Sequence, residues 1–353
     1  MLIIIIIALL SAVILFYIGV FIFGNLLLST PAYKGPVTDH FNGRHFYHPW
    51  QKKSQMAGFS DVLKWQMDRK RVRGEWKPVK NKPGEKPPER VRESELRVTF
   101  INHSTVLIQT EGLNIITDPI YSKRAGPYFW TGPKRFKQPG IRFEDLPKID
   151  IVLLSHNHYD HLDHKTLTKL SERDNPLIIT ALGVPHFLSQ HKITNAIELD
   201  WWQTHIINDS VSIHSVPAQH FSGRGTVDRN TSLWCAFVLS TSGGNIYFAA
   251  DTGYAPIFKD IGERFGEMRL ALIPIGAYVP RWFMQSVHVS PREAVMIHKD
   301  VNSKLSIGIH HGTFRLADEG MEDPVTDLAR ELGEQDVASE AFIALKEGEA
   351  MAL

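Results

Sequence analysis

The sequence predicts a layered α/β domain behind an N-terminal transmembrane helix. Three patterns predict it: an uncharged apolar run from Leu2 to Leu28, short strand-like and helix-like stretches that alternate from Leu96 onward, and clusters of histidine and aspartate directly after several apolar runs.

The run "LIIIIIALLSAVILFYIGVFIFGNLLL" exceeds the roughly 20 apolar residues that cross a bilayer. It is also longer than the apolar core of a secretory signal, no Lys or Arg precedes it and no Ala-x-Ala site comes after it, so it reads as an uncleaved anchor. Lys34, Arg44, Lys52 and Lys53 against Asp39 leave a small basic excess, which by the positive-inside bias favours the cytoplasmic side for the catalytic part of the chain. The expected organisation is a single-pass membrane protein with its anchor at 1–29, a basic juxtamembrane segment and linker at 30–95, and the main domain at 96–353.

Residues 64–92 hold eleven Lys or Arg against Asp68, Glu75, Glu85 and Glu89. Prolines 78, 83, 87 and 88 make the latter half an extended connector, while Met56, Phe59, Leu63 and Met67 have the spacing of a short amphipathic helix. Two readings of the charge stand side by side: a surface for anionic lipid headgroups, or a solvated linker.

Composition narrows the classes. A formal net charge of +1 argues against nucleic acid as a partner. Cys235 is the only cysteine, which excludes an intrachain disulfide or a Cys-rich zinc finger, and within "LWCAFVL" it reads as a small core residue. Neither a P-loop nor a Gly-x-Ser-x-Gly nucleophile turn occurs.

From Leu96, "LRVTFI", "TVLIQT" and "LNIITDP" read as a meander of strands. Later apolar runs each lead into ligand chemistry: "IDIVLL" into His156, "VSIHSVPAQ" into His220, "NIYFAA" into Asp251, and "KLSIGI" into His310 and His311. Helix-like stretches lie between them, including "DHKTLTKLSER" and "SPREAVMIHKD", the latter with a Ser-Pro start suited to an N-cap and first helical turn. Polar residues at strand ends place the site along one edge of the sheets.

The densest cluster is "SHNHYDHLDH" at 155–164. Imidazole nitrogen and carboxylate oxygen suit zinc and related divalent ions, and His156, His158, Asp160 and His161 form the pattern His-x-His-x-Asp-His. His156 and His158, at alternate positions, face one ion, while Asp160 and His161 reach round to a neighbour.

With the later single ligands, this motif resembles the metallo-β-lactamase fold superfamily. The blocks "TDPIYSKRAGPYFWTGPKRF", "SHNHYDHLD", "IELDWW", "PAQH", "ADTGY", "IPIGAYVPRWFM", "HVSPREAV" and "HHGTF" are similar, in this order, to those of the N-acylphosphatidylethanolamine-hydrolysing phospholipase D family. The resemblance runs from about residue 96 to the C-terminus and makes 96–353 a hydrolase domain. It implies an αββα four-layer sandwich and two Zn2+ ions, with iron or manganese able to use a similar ligand set. It also implies that His156, His158 and His220 hold one ion, Asp160, His161 and His310 the other, and that Asp251 bridges them. The register to Gly312 selects His310 over His311, which becomes a packed neighbour.

The resemblance further implies that a water between the ions, its pKa drawn towards about 7, attacks phosphorus, with Asp160 aiming it. His288 becomes a catalytic and substrate-binding candidate that contacts the phosphate or protonates the leaving oxygen. Arg224 and Arg281 become candidates for phosphate oxygens through the guanidinium fork. Asn102 and His103 stand beside the ligands. Tyr128, Phe129, Trp130, Trp201 and Trp202 are candidates for an acyl groove or for core packing. The expected function is a zinc-dependent phosphodiesterase that converts N-acylphosphatidylethanolamine to an N-acylethanolamine and phosphatidic acid by a metal-bridging hydroxide, with a phospholipid as partner. The alternative is the same metal centre acting on a lactone, a cyclic phosphodiester or another phospholipid.

Overall fold

Two seven-stranded mixed sheets form because many of the strands are near-continuous apolar runs that can bury one face against a partner sheet and the other against helices. The computed structural model describes residues 1–51, 59–68, 74–92 and 95–353, leaving aside the side chains of residues 2, 3, 20–27 and 59. The basic run Arg69, Lys70, Arg71 and Arg73 lies outside the described residues, as do Lys52, Lys53 and Met56.

The first sheet comprises β1 (Leu96–Asn102), β2 (Thr105–Thr110), β3 (Leu113–Thr117), β4 (Ile151–Leu154), β5 (Leu177–Ala181), β6 (Ala196–Leu199) and β14 (Ala350–Ala352), in the order β14-β1-β2-β3-β4-β5-β6. The second comprises β7 (Thr204–Asn208), β8 (Val211–Val216), β9 (Ala236–Thr241), β10 (Gly244–Phe248), β11 (Met268–Pro274), β12 (Ser306–Ile309) and β13 (Phe342–Ile343), in the order β13-β12-β11-β10-β9-β8-β7. Each is an antiparallel meander that continues into parallel strands. On β4, Ile151 and Leu153 enter the core between the sheets, whereas Val152 and Leu154 pack outward with Leu167 and Leu170 of α3 (His164–Asp174) and Phe187 and Leu188 of α4 (Val184–Gln190). Outside the second sheet lie α5 (Ile257–Phe265), α7 (Pro291–Asp300) and α8 (Asp323–Glu334), and the short α6 (Arg281–Met284) precedes α7. The capping box at Ser290 and Glu293 starts α7 where the Ser-Pro pair predicted it. Cys235 is buried in the inter-sheet core, as its apolar neighbours suggested.

The N-terminal expectation is corrected. Residues Leu2–Leu28 form helix α1. Among the described residues no helix is long and apolar enough to cross a membrane. The transmembrane helix and the single-pass membrane localisation expected from the sequence are therefore not supported. Helix α2 (Phe59–Asp68) forms where the amphipathic spacing placed it, with Trp65 stacked on Phe283 at 4.9 Å and bonded to Asp318.

Residues 30–51 lie against the domain. His40 sits between Asp39 and Asp200, 2.6 and 2.7 Å from its two ring nitrogens, with its ring on Trp201. Burial disfavours the imidazolium, but hydrogen bonds to Asp200 and Asp39 outweigh it and raise the pKa. A raised folded pKa means that the stabilisation is complete below the ordinary value of 6.5 and is lost as pH rises through the folded value. His40→Gln is expected to lose about 1–2 kcal/mol against wild type at pH 6 and markedly less at pH 9 in urea melts. An equal difference at both values would contradict this.

Candidate metal centre

Every loop that carries a predicted ligand leaves the same edge of the sandwich, because β4, β8, β10 and β12 all point their C-terminal ends there. Backbone strain marks these loops: His103, Asp118, Ala250, Ala277 and His310 all have positive φ. At Gly276 a Cβ would lie 2.2 Å from the His310 carbonyl oxygen, so only glycine admits the loop after β12 this closely.

Three imidazole nitrogens converge on one point. His156 Nε2 lies 2.9 Å from His158 Nδ1, which lies 3.2 Å from His220 Nε2. Those spacings approach the roughly 3.3 Å edge of a tetrahedron built on zinc–nitrogen bonds of about 2.0–2.1 Å. A second set gathers about Asp251, whose Oδ2 is 3.2 Å from His161 Nε2, 3.1 Å from His310 Nε2 and 3.7 Å from His220 Nε2. Asp160 Oδ2 stands 3.5 Å from His161 Nε2 and 3.4 Å from His310 Nε2. The Nε2 atoms of His161 and His310 are buried without a hydrogen-bond partner and face this common space.

Neighbouring groups fix the tautomers. Asp118 Oδ2 accepts from His161 Nδ1 at 2.6 Å and from the Ser155 hydroxyl, while Asp118 Oδ1 accepts the Ser155 N–H. The Ser155 oxygen in turn lies 2.8 Å from His156 Nδ1, and the Val287 carbonyl lies 2.9 Å from His220 Nδ1. His156, His161 and His220 are thereby turned to offer Nε2 inward. Burial pushes His156 and His220 well below the ordinary histidine range, so both are neutral donors at pH 7. Burial also opposes ionisation of Asp251 and Asp160, but the neighbouring histidines outweigh it and hold both carboxyls well below their usual range. Burial opposes charge on His161 and His310 too, but Asp251 and Asp160 outweigh it, raising His161 well above the ordinary range and His310 to about 9. Because metal takes neutral imidazoles and ionised carboxylates, these two would give up a proton to an ion that binds there.

All seven predicted ligands are thus brought together. His311 is directed away and stacks on Phe100 at 5.6 Å. His103 lies beside the second set, with Nε2 3.1 Å from Asp160 Oδ2 and its ring 4.1 Å from that of His310. His288 faces a cavity of about 200 Å3 together with Gln51, Val62, Phe221, Met284 and Val287, and its Nδ1 is 3.9 Å from Asp251. Arg224 donates to the carbonyls of Asn157 and Leu162 and lies over the Tyr159 ring, so it braces the His156–His161 loop. Arg281 pairs with Glu293 and donates to the His288 carbonyl. Of the proposed groove aromatics, Trp201 packs in the core and Trp202 sits under Arg264, while Phe129 and Trp130 are exposed.

Sequence reasoning passed over Asp118, Ser155 and Asn157. Asp118 stood in the quoted block "TDPIY", and the acidic residue directly after a strand was its only signal. It also passed over His48, whose Nε2 accepts the His220 backbone N–H at 3.1 Å, and Thr30, which bonds Asn157 at 2.8 Å. Trp50 adds a bond to Gln219, next to His220. His48→Ala strands the His220 N–H and is expected to cost about 1–3 kcal/mol in urea unfolding and to weaken metal retention against a competing chelator.

Comparison with known proteins decides the family. The β-lactamase superfamily domain matches residues 113–311. The N-acyl-phosphatidylethanolamine-hydrolyzing phospholipase D 1 of Caenorhabditis elegans is 37% identical over 270 residues, covering 73% of this chain and 76% of that one. The chain belongs to the N-acylphosphatidylethanolamine-hydrolysing phospholipase D family of the β-lactamase superfamily. As a member it is a metal-dependent hydrolase, and its fold implies divalent metal ions. The mitochondrial family member of Saccharomyces cerevisiae is 40% identical over 236 residues, or 65% of this chain and 50% of that protein, so the present chain spans half of the yeast relative. An isothiocyanate hydrolase from Delia radicum gut bacteria shares the fold at a TM-score of 0.59 and 18% identity, over 73% of this chain and 98% of that one.

Proposed function

We propose that this phospholipase D family member is a zinc-dependent phosphodiesterase that hydrolyses N-acylphosphatidylethanolamine to an N-acylethanolamine and phosphatidic acid. The observation that carries the reading is the position of Asp251 Oδ2 between two converging ligand sets, one member of which, His220, lines a largely apolar cavity with His288. His156, His158 and His220 would hold one ion, Asp160, His161 and His310 the other, and Asp251 would serve both. Bound zinc supplies a water of near-neutral pKa and positive charge for a phosphoryl oxygen.

The chain's own groups do the rest. Asp118 and Ser155 hold the imidazoles in register, and Asp160, whose side chain is 13% exposed, would accept a hydrogen bond from the water and aim it. His288 opens onto the cavity and is placed to meet the phosphate or the leaving oxygen. Phe221, Met284 and Val287 line the same space and suit alkyl chain rather than water. Arg224 and Arg281 act mainly through the loops they brace, which leaves His288 as the direct contact. The oxygen of water adds to phosphorus, the bond to the ethanolamine oxygen breaks, and the proton lost by water ends on that leaving oxygen.

Zinc-loaded full-length protein mixed with N-acylphosphatidylethanolamine in detergent micelles is expected to yield both products by mass spectrometry, and Asp251→Ala to yield neither. Absence of products from protein carrying two zinc ions would overturn the substrate assignment.

A further inference from the structure

Arg224 and Arg281, the arginines that the sequence offered for phosphate, spend their guanidinium groups on backbone carbonyls and on Glu293. Arg229 does not. It lies exposed on the loop that leaves His220, and with His220 and His288 it lines the cavity of about 200 Å3 described above. Among the described residues it is the only Lys or Arg on that cavity.

Several contacts fix it there. The loop doubles back where the Asn230 N–H donates to the Ser222 carbonyl, which sets residue 229 against Gly223, and the Arg229 carbonyl lies 3.1 Å from His45 Nδ1. The guanidinium carbon sits 4.4 Å over the Phe221 ring. Phe221 also packs on two of the predicted ligands, its ring centroid 4.4 Å from that of His158 and 4.8 Å from that of His220. The cation is therefore tied to the metal loops through one ring without standing among the ligands.

Its charge is left unanswered by the described residues. The adjacent carboxylate, Asp228, accepts the N–H groups of Thr30, Arg224 and Gly225. Partial burial lowers the Arg229 pKa and no carboxylate opposes this, yet an arginine stays cationic at neutral pH. A fixed guanidinium fork beside an apolar wall suits a planar pair of anionic oxygens.

We infer that Arg229 selects substrates whose leaving alcohol carries a carboxylate, N-acylated phospholipids of the N-acylserine kind, over those whose leaving alcohol is neutral. The reacting phosphodiester bears one negative charge and is met at the metal centre, so a cation outside the ligand set is left for a second anionic group. The cavity also holds His288, which meets the phosphate or the leaving oxygen, so its occupant is the alcohol side of the bond. One guanidinium with no second Lys or Arg beside it matches the single charge of a carboxylate better than the larger charge of a phosphomonoester. The inference rests on the phosphodiesterase reading above and narrows its substrate.

The test is equilibrium binding of the two alcohols, N-octanoylserine and N-octanoylethanolamine, to the zinc-loaded full chain by calorimetry. Wild type is expected to bind the serine compound about tenfold more tightly, the effect of one charge-assisted contact. Arg229→Gln should bring the two affinities within about twofold, Arg229→Lys should keep part of the preference, and salt at about 0.5 M should erode it in wild type. Equal affinities in wild type, binding of neither compound by wild type, or a preference that survives Arg229→Gln, as capture of the carboxylate by metal would cause, overturns the inference. Should Arg229→Gln lose the cavity altogether, the salt series on wild type decides, and a preference unmoved by salt overturns it. Micellar turnover of N-acylphosphatidylethanolamine by wild type is read separately: the preference without products would fault the proposed reaction, and products without the preference would fault the role of Arg229 alone.

Discussion

Asp251→Ala is expected to lower turnover by about a thousandfold or more and to reduce bound metal from two ions to at most one. A thousandfold corresponds to about 4 kcal/mol of transition-state stabilisation, a magnitude within reach of one group on which the whole centre depends. Asp251 is such a group because its Oδ2 lies within 3.7 Å of the donor atoms of His161, His310 and His220. Without it, two cations would face each other across the site with less negative charge between them. Metal content by elemental analysis and kcat on the same preparation form the measurement. Full metal content with normal kcat would remove Asp251 from its proposed place. Stripping wild-type protein with a chelator should reproduce the loss of activity and lower the Tm, since a ligand held at a thousand times its Kd stabilises by about 4 kcal/mol.

Asp118→Ala is expected to have the largest effect on the fold. Its carboxylate is fully buried and joins the end of β3 to the start of the metal loop through three acceptor contacts, to Ser155 N–H, Ser155 hydroxyl and His161. Removing one member of a buried, hydrogen-bonded charged network costs about 3–5 kcal/mol. The same change frees His161 to rotate or to change tautomer, so metal affinity should fall about 10–100-fold. Asp118→Asn separates the two effects: it keeps volume and some hydrogen bonding, and should recover more of the stability than of the metal affinity. Equal recovery of both would mean that Asp118 serves the fold alone.

The strand-to-ligand pattern was legible because each strand is apolar and short, and because imidazole and carboxylate clusters have few other uses after a buried strand. On that basis His156, His158, Asp160, His161, His220, Asp251 and the pair His310 and His311 stood out as candidates, and the resemblance supplied the choice of His310. The groups that aim them were not. Asp118, Ser155 and His48 act through single hydrogen bonds between segments remote in the chain, and residue type carries no record of such pairings. The N-terminal run was read from hydropathy alone, and among the described residues no helix is long and apolar enough to cross a membrane. Among the aromatics, Trp201 and Trp130 are the same residue type, yet one is core and the other exposed, because topology and not composition decides which side of a loop meets solvent.

The seven converging side chains come from loops of both sheets: His156, His158, Asp160 and His161 from the first, and His220, Asp251 and His310 from the second. Each proposed ion would therefore be gripped from both halves of the sandwich. The centre would act as a rivet as well as a reagent, fastening two β-sheets at the edge where no strand pairing joins them. Exchange of metal would then be coupled to the breathing of one half against the other, and a change that loosens the seam far from any ligand would shorten the time each ion stays bound.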